Sequence, residues 1–196
     1  MANRTGPNRP KPKTITLADN DTAIVVLDLS ARCQDPKEVC WKLMKPLGTF
    51  LERARGRRVP VIYTVSAHTR GTPMQEVALP LRRRDTEPVL YPDSFDKFFG
   101  GELQNFLSER SVKNLVVVGS LTNVAVLYTS SSAARVYGYE VIIPLDGVNA
   151  LSKYEHEYAI HQFTILPRET NKKFHFTTLS KIRFQAAKSQ DGRRRA

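Results

Sequence analysis

The sequence predicts an α/β domain, three layers deep (α/β/α), with a six-stranded, mostly parallel sheet at its centre. Three observations carry this. The stretches TAIVVLDL, VPVIYTV, LVVV and YEVIIP are continuous apolar runs, as strands covered on both faces require, and not the alternating runs of a strand with one wet face. Helical segments separate them, so that successive strands can be joined by crossovers. The run Leu115–Val118, closed by Gly119, gives way almost at once to a helix.

Residues 1–18 read as a basic tail, with Arg4, Arg9, Lys11 and Lys13 unopposed by any acid over 1–14, a composition that stays solvated. The folded domain is expected over 19–185. Thr22–Leu29 is the first strand and carries one acid, Asp28, close to its end. A carboxylate there is either a functional group at the rim of the sheet or an exposed strand terminus. Asp35-Pro36-Lys37-Glu38 supplies an N-cap, Pro at N1 and an acid at N3. Pro46 then divides the helical stretch into Lys37–Met44 and Pro46–Arg55, the second with Leu47, Phe50, Leu51 and Ala54 on one face and Gly56 as its stop.

Val59–Val65 is the second strand. Met74–Leu81 is a short helix ended by the charge run Arg82–Arg84, Val89–Tyr91 a brief third strand, and Gly101–Arg110 an amphipathic helix through Leu103, Phe106 and Leu107. After the fourth strand, Thr122 or Asn123 caps the helix Val124–Tyr137, which Gly138 closes. The backbone N–H groups at such a junction can hold an anion or a developing oxyanion. Tyr139–Pro144 is the fifth strand. Ser152 and Glu155 form a capping box for a helix with Tyr158, Ala159, Phe163 and Leu166 on one side. Lys173–Thr177 is the sixth strand, Thr178–Gln185 a terminal helix, and 186–196 a second basic tail.

At 196 residues and 41% apolar content the chain can bury one core. Its formal charge of +11 would attract nucleic acid, an acidic surface or an anionic substrate, although much of that charge lies in the tails. Two cysteines, Cys33 and Cys40, are too few for a disulfide framework or a zinc site, and predict a reducing, cytoplasmic setting. No run is apolar enough for a signal peptide or a membrane span. The first strand is not followed by a Gly-rich phosphate fingerprint, which argues against a dinucleotide site.

TAIVVLDL with its acid, PVIYTV, FFGGEL, VVVGSLTNVAV and GYEVIIPLDGVNA, in this order, resemble the isochorismatase-like hydrolases, a superfamily of nicotinamidases, carbamoylsarcosine amidases and isochorismatases. The resemblance covers about Thr22–Phe184 and implies their Rossmann-like, isochorismatase-like fold. In the family's amidases an Asp at the end of the first strand activates a Cys thiol beside a Lys, and the matching acid is Asp28. The motif resembling T-N-x-C-V is Thr122-Asn123-Val124-Ala125-Val126, so Ala125 stands at the thiol position, and a methyl forms no thioester. The family's Lys position falls on Pro92 or Tyr91. Lys97 lies in the same loop at a different spacing, so its use would need a rearranged loop. The implied protein therefore lacks both the Cys nucleophile and the Lys.

Ser30 and Ala31 replace the Gln and Asn that commonly follow the Asp. The Asp-x-His…His metal cluster of nicotinamidases has no counterpart, and His68 reads as a loop residue. No metal and no cofactor are expected. Cys33 could supply another thiol near the cavity, although a free Cys is most often a small buried hydrophobe. The resemblance also implies a non-proline cis peptide before the motif Thr, at Leu121–Thr122.

The candidate catalytic residues are thus Asp28 and Lys97, and the candidate substrate-binding residues Tyr91, Leu121, Thr122, Asn123 and Ala125. The expected function is a hydrolase-fold protein with a non-standard or degenerate site, acting on a small amide or vinyl ether through Asp28. Vinyl ether hydrolysis needs an acid and a water, not a covalent nucleophile. The alternative is a non-catalytic binding or assembly module for RNA or a ribonucleoprotein, reached through the tails and the patches Arg53, Arg55, Arg57, Arg58, then Arg82–Arg84, then Lys172 and Lys173. No aromatic RNA-recognition motif accompanies them. The resemblance further implies a small-molecule ligand in the cavity, a homo-oligomer (dimer or tetramer), and no membrane partner.

Overall fold

The computed structural model describes residues 9–187. In chain order these form β1 (Ile15–Ala18), β2 (Thr22–Leu27), α1 (Trp41–Arg55), β3 (Val61–Thr64), β4 (Val89–Leu90), α2 (Glu102–Glu109), β5 (Asn114–Ser120), α3 (Leu127–Arg135), β6 (Glu140–Pro144), β7 (Val148–Asn149), α4 (Lys153–Ile165), β8 (Phe174–Thr177) and β9 (Ile182–Gln185). The six expected strands make one parallel sheet in the order β4-β3-β2-β5-β6-β8, and the two-residue β7 also pairs with β5. Strand order runs one way from β2 and the other way from β5. The ends of these two strands therefore flank the topological switch point, where α/β sheets open a crevice.

Each strand divides its side chains between two apolar layers. Ile24, Val26, Val61, Tyr63, Val116, Val118 and Ile142 pack with Leu43, Leu47, Phe50, Leu51 and Ala54 of α1. Ala23, Val25, Leu27, Ile62, Leu115, Val117 and Val141 pack with Leu103 and Leu107 of α2, Ala133 of α3, and Ile160 and Phe163 of α4. Both faces are dry, hence the unbroken apolar runs. Each fully buried aliphatic or aromatic side chain contributes roughly 1.5–3 kcal/mol. Among the described residues no helix is long and apolar enough to cross a membrane.

Several elements differ from the sequence expectation. Pro46 does not divide the helix, because α1 runs unbroken from Trp41 to Arg55. The proline is on the exposed side, where the carbonyl it leaves unpaired meets water while Leu43, Met44, Leu47 and Leu51 stay buried. The Asp35 cap signal closes a turn, Lys37 N–H donating to Asp35 Oδ1 at 2.9 Å. That turn brings Cys33 and Cys40 into a disulfide with Cα atoms 5.2 Å apart. No free cysteine remains, so the spare thiol expected at Cys33 does not stand.

The helix expected over Met74–Leu81 is two 3-10 turns, Pro73–Gln75 and Leu79–Leu81. The terminal helix is instead a 3-10 turn and β9, which pairs in parallel with β1. Its four residues are alternately more and less buried, a period-two signal in IRFQ. β1 in turn lies within the expected tail. Arg55, placed on a surface patch by sequence, is buried and holds Glu87 through Nε at 2.7 Å and Nη2 at 2.9 Å. The rest of the tails, 1–8 and 188–196, lies outside the described residues.

Candidate active site

Asp28 follows β2 directly and has a left-handed backbone, φ 54°, a conformation Asp tolerates better than most residues. β5 runs alongside, with Gly119 opposite Leu27. The strands approach so closely here that a Cβ on Gly119 would sit 2.2 Å from Leu27 O, and Gly119 has φ +128°. Asp28, just past β2, and Ser120, the last residue of β5, therefore lie side by side at the switch point.

Lys97 reaches this point from the loop after β4. Its Nζ lies 2.9 Å from Asp28 Oδ2, with the lysine side chain only 1% exposed and the aspartate 20%. The ammonium also donates to Ser94 O at 3.1 Å. The loop is held to α3: Lys97 N–H donates to Thr129 Oγ1 at 3.0 Å, Ser132 Oγ donates to Asp96 Oδ2 at 2.5 Å, and Phe98 stacks on Tyr137 at 4.5 Å. No Lys stands at the spacing that the resemblance gives, but Lys97, the candidate in the same loop, is the one that meets Asp28. Spacing along a loop measures sequence distance, whereas the path of 91–97 places Nζ where the ion pair forms.

Burial pushes the Asp28 carboxyl above its ordinary 3.8, against the opposing pull of Lys97 first and of Arg32 and His68 beyond it. Its Oδ1 is buried and has no partner among the described residues, as is Ser120 Oγ. Both residues line a cavity of about 430 Å3 together with Ser30, Arg32, His68, Phe95, Leu121, Val124 and Ala125. The Arg32 guanidinium at its wall is paired to Glu38 at 3.1 Å.

β5 leads through Leu121 into a π-helical turn, Thr122–Val126, and then α3. The cis peptide is Ser120–Leu121, one bond before the expected Leu121–Thr122. Neither Thr122 nor Asn123 caps through its side chain. Val124 and Val126 N–H both donate to Leu121 O at 3.1 Å, so any anion held at the turn must use its other amides.

Of the expected binding residues, Leu121 and Ala125 line the cavity with Asp28. Thr122 does not; it is buried and its Oγ1 is 3.0 Å from Nδ1 of His156, a half-buried imidazole whose pKa burial lowers. Asn123 is also outside the cavity lining, its Oδ1 buried without a partner among the described residues. Tyr91 lies aside, with the Arg70 guanidinium 4.9 Å from its ring centre. Sequence reasoning missed Ser120 and Arg32 and left His68 as an ordinary loop residue. The only available signal for Ser120 was its place after Gly119, meaningful once β2 and β5 are known to be neighbours. Among the described residues no three His, Cys, Asp or Glu side chains converge as a metal-ligand set.

An acid of elevated pKa and a strand-to-helix junction share one cavity, and the acid is paired with a buried ammonium. The family model of the isochorismatase domain matches residues 22–171. The chain belongs to the isochorismatase family. Solved structures of similar fold include an isochorismatase-like hydrolase from Alkaliphilus metalliredigens, 22% identical with a TM-score of 0.72 over 82% of this chain and 96% of that one. A cysteine hydrolase from Pseudomonas syringae pv. phaseolicola is 20% identical, TM-score 0.72, over 88% and 96% of the two chains. The MAR1 ribonuclease from Caenorhabditis elegans is 18% identical, TM-score 0.68, over 85% and 81%. At these identities the likeness is one of fold. No match was found among curated proteins. Within this isochorismatase-family chain the motif position that the resemblance gives to a thiol is Ala125, 2% exposed.

Proposed function

We propose that this isochorismatase-family chain is a cysteine-independent hydrolase of a small vinyl ether or amide, with Asp28 and Lys97 as its catalytic pair. The reading rests on one observation: Asp28 is paired with a buried Lys97 and keeps a second, unpartnered oxygen at a cavity that also contains the Ala125 methyl. An elevated carboxyl pKa suits an acid that must give and regain a proton. With a vinyl ether, protonated Asp28 would deliver its proton to the terminal carbon, water would add to the resulting oxocarbenium carbon, and the hemiketal would collapse to an alcohol and a carbonyl. The water's proton restores Asp28. With an amide, ionised Asp28 would take the proton of the attacking water and pass it to the leaving nitrogen, and Lys97 would stabilise the negative charge nearby. Neither route needs a thiol.

The test is turnover of nicotinamide, maleamate and isochorismate by the purified chain, beside Asp28→Asn, Lys97→Met and Ala125→Cys. Turnover lost in the first two variants supports the proposal. No wild-type turnover combined with amidase activity in Ala125→Cys would overturn it and leave a non-catalytic module.

A second reading is favoured by Ala125 together with the +11 charge and a similar structure described as a ribonuclease. RNA brings its own nucleophile, the 2′-hydroxyl, so that an acid and base pair would suffice. Cleavage of an RNA but not of the matching DNA, lost in Asp28→Asn, would select it. Self-association is proposed through exposed aromatic surface, where Phe95 stacks on Tyr128 and Tyr154 on Tyr158. Sedimentation of the variant Tyr154→Glu/Tyr158→Glu as a smaller species than the wild type would support this.

A further inference from the structure

A groove of about 1080 Å3 runs along the outer side of α1, between that helix and the turn at 79–82, and shares no residue with the Asp28 cavity. The helix can lie against the turn because residue 48 is glycine; a Cβ there would be 2.6 Å from Pro80 O. Trp41 opens the helix and is 44% exposed, a large amount of ring for a chain with a single tryptophan. Lys42, Lys45 and Arg82 also line the groove, and the charged side-chain ends of these three have no hydrogen-bond or ion-pair partner among the described residues. Arg53, further along, is already engaged, donating to Leu179 O at 2.6 Å. The one acid in the lining, Glu52, is neutralised by Arg55 at 2.7 Å and Arg84 at 3.5 Å.

The groove therefore has free positive charge, no free negative charge, and an exposed indole at one end. A positively charged track beside an aromatic face is the arrangement that binds unpaired nucleotides, the base stacking on the ring while cations hold the phosphates. An acidic peptide would use the cations but not the indole. A duplex would offer phosphates but no unstacked base. We propose that this groove binds single-stranded nucleic acid, with a base on Trp41 and phosphates at Lys42, Lys45 and Arg82. The site is independent of the catalytic reading and needs no turnover to be observed.

The test uses the full chain and the oligonucleotides dT15 and U15, followed by the emission of Trp41. Binding should change the emission saturably. The binding constant should fall with salt at a log–log slope of about −2, from three phosphate contacts at roughly 0.7 each. Lys42→Glu/Lys45→Glu should weaken binding at least tenfold with unchanged circular dichroism. Trp41→Ala, followed by anisotropy of a labelled oligonucleotide, should weaken it about tenfold. Binding that leaves Trp41 emission unchanged would place the contact at the terminal arginines and overturn the proposal. Equal quenching by poly-glutamate would make this an acidic-peptide site and overturn it too, as would no binding at low salt. Failure here would leave Asp28-dependent hydrolysis untouched.

Discussion

Lys97→Met tests the ion pair on which the site depends. Methionine keeps most of the aliphatic stem of a side chain that is 1% exposed, so packing is largely preserved and the charge is what is lost. Asp28 Oδ1 already lacks a partner, and Oδ2 would lose the ammonium now 2.9 Å away. Removing one member of a buried pair costs roughly 3–5 kcal/mol. The aspartate is 20% exposed, which favours the lower end, about 3 kcal/mol at pH 7. For a chain of this size that corresponds to a fall in Tm of about 6–12 °C.

The sign with pH follows from Asp28. Burial already raises its folded pKa above 3.8, so the folded state holds this proton more tightly than the unfolded chain. The stability linked to Asp28 is full below 3.8 and declines as pH rises through the folded value. Without Lys97, the largest opposing influence, that decline extends to higher pH. The deficit measured by urea unfolding should therefore be largest near pH 7 and shrink towards pH 4, and Asp28→Asn/Lys97→Met should return to within about 1 kcal/mol of the wild type at pH 7. A deficit under about 1 kcal/mol at pH 7, or one constant between pH 4 and 7, would refute the reasoning.

Asp28→Asn alone should abolish turnover and also lower stability at pH 7 by about 3 kcal/mol, since it leaves the Lys97 ammonium, 1% exposed, without its carboxylate; parallel kinetics and urea unfolding check this. Reducing Cys33–Cys40 opens a short loop of sequence separation 7 and should cost about 2.5 kcal/mol by loop entropy, seen as a lower urea midpoint with a phosphine reductant. Gly119→Ala combines the +128° φ with a Cβ 2.2 Å from Leu27 O, so destabilisation of more than about 3 kcal/mol is expected; circular dichroism melting would show it, and an unchanged Tm would contradict the close approach.

The parts of the fold legible in the sequence are those whose causes are local. β2, β5 and β6 were readable as apolar runs because dry layers on both faces leave no position free to be polar. α4 was readable from its capping box, in which Glu155 N–H donates to Ser152 Oγ at 3.2 Å and Ser152 N–H to Glu155 Oε2 at 2.7 Å. Asp28 and the Ala125 position followed from motif order, and the family match bears out the resemblance that supplied it.

Other features depended on groups far apart in the chain. β9 was read as a helix because its partner, β1, is more than 160 residues away, and a short strand has little signal without its partner. Arg55 looked like surface charge until Glu87, 32 residues on, was placed beside it. Lys97 was discounted by its spacing, yet it reaches Asp28 because Thr129 and Ser132 hold its loop to α3. The sequence by itself determined the six strands of the central sheet, the layers and the acid at the end of β2, since burial periodicity and caps act within a few residues. Only the tertiary structure decided that this acid meets a lysine, because an ion pair depends on where two side chains lie and not on how many residues separate them.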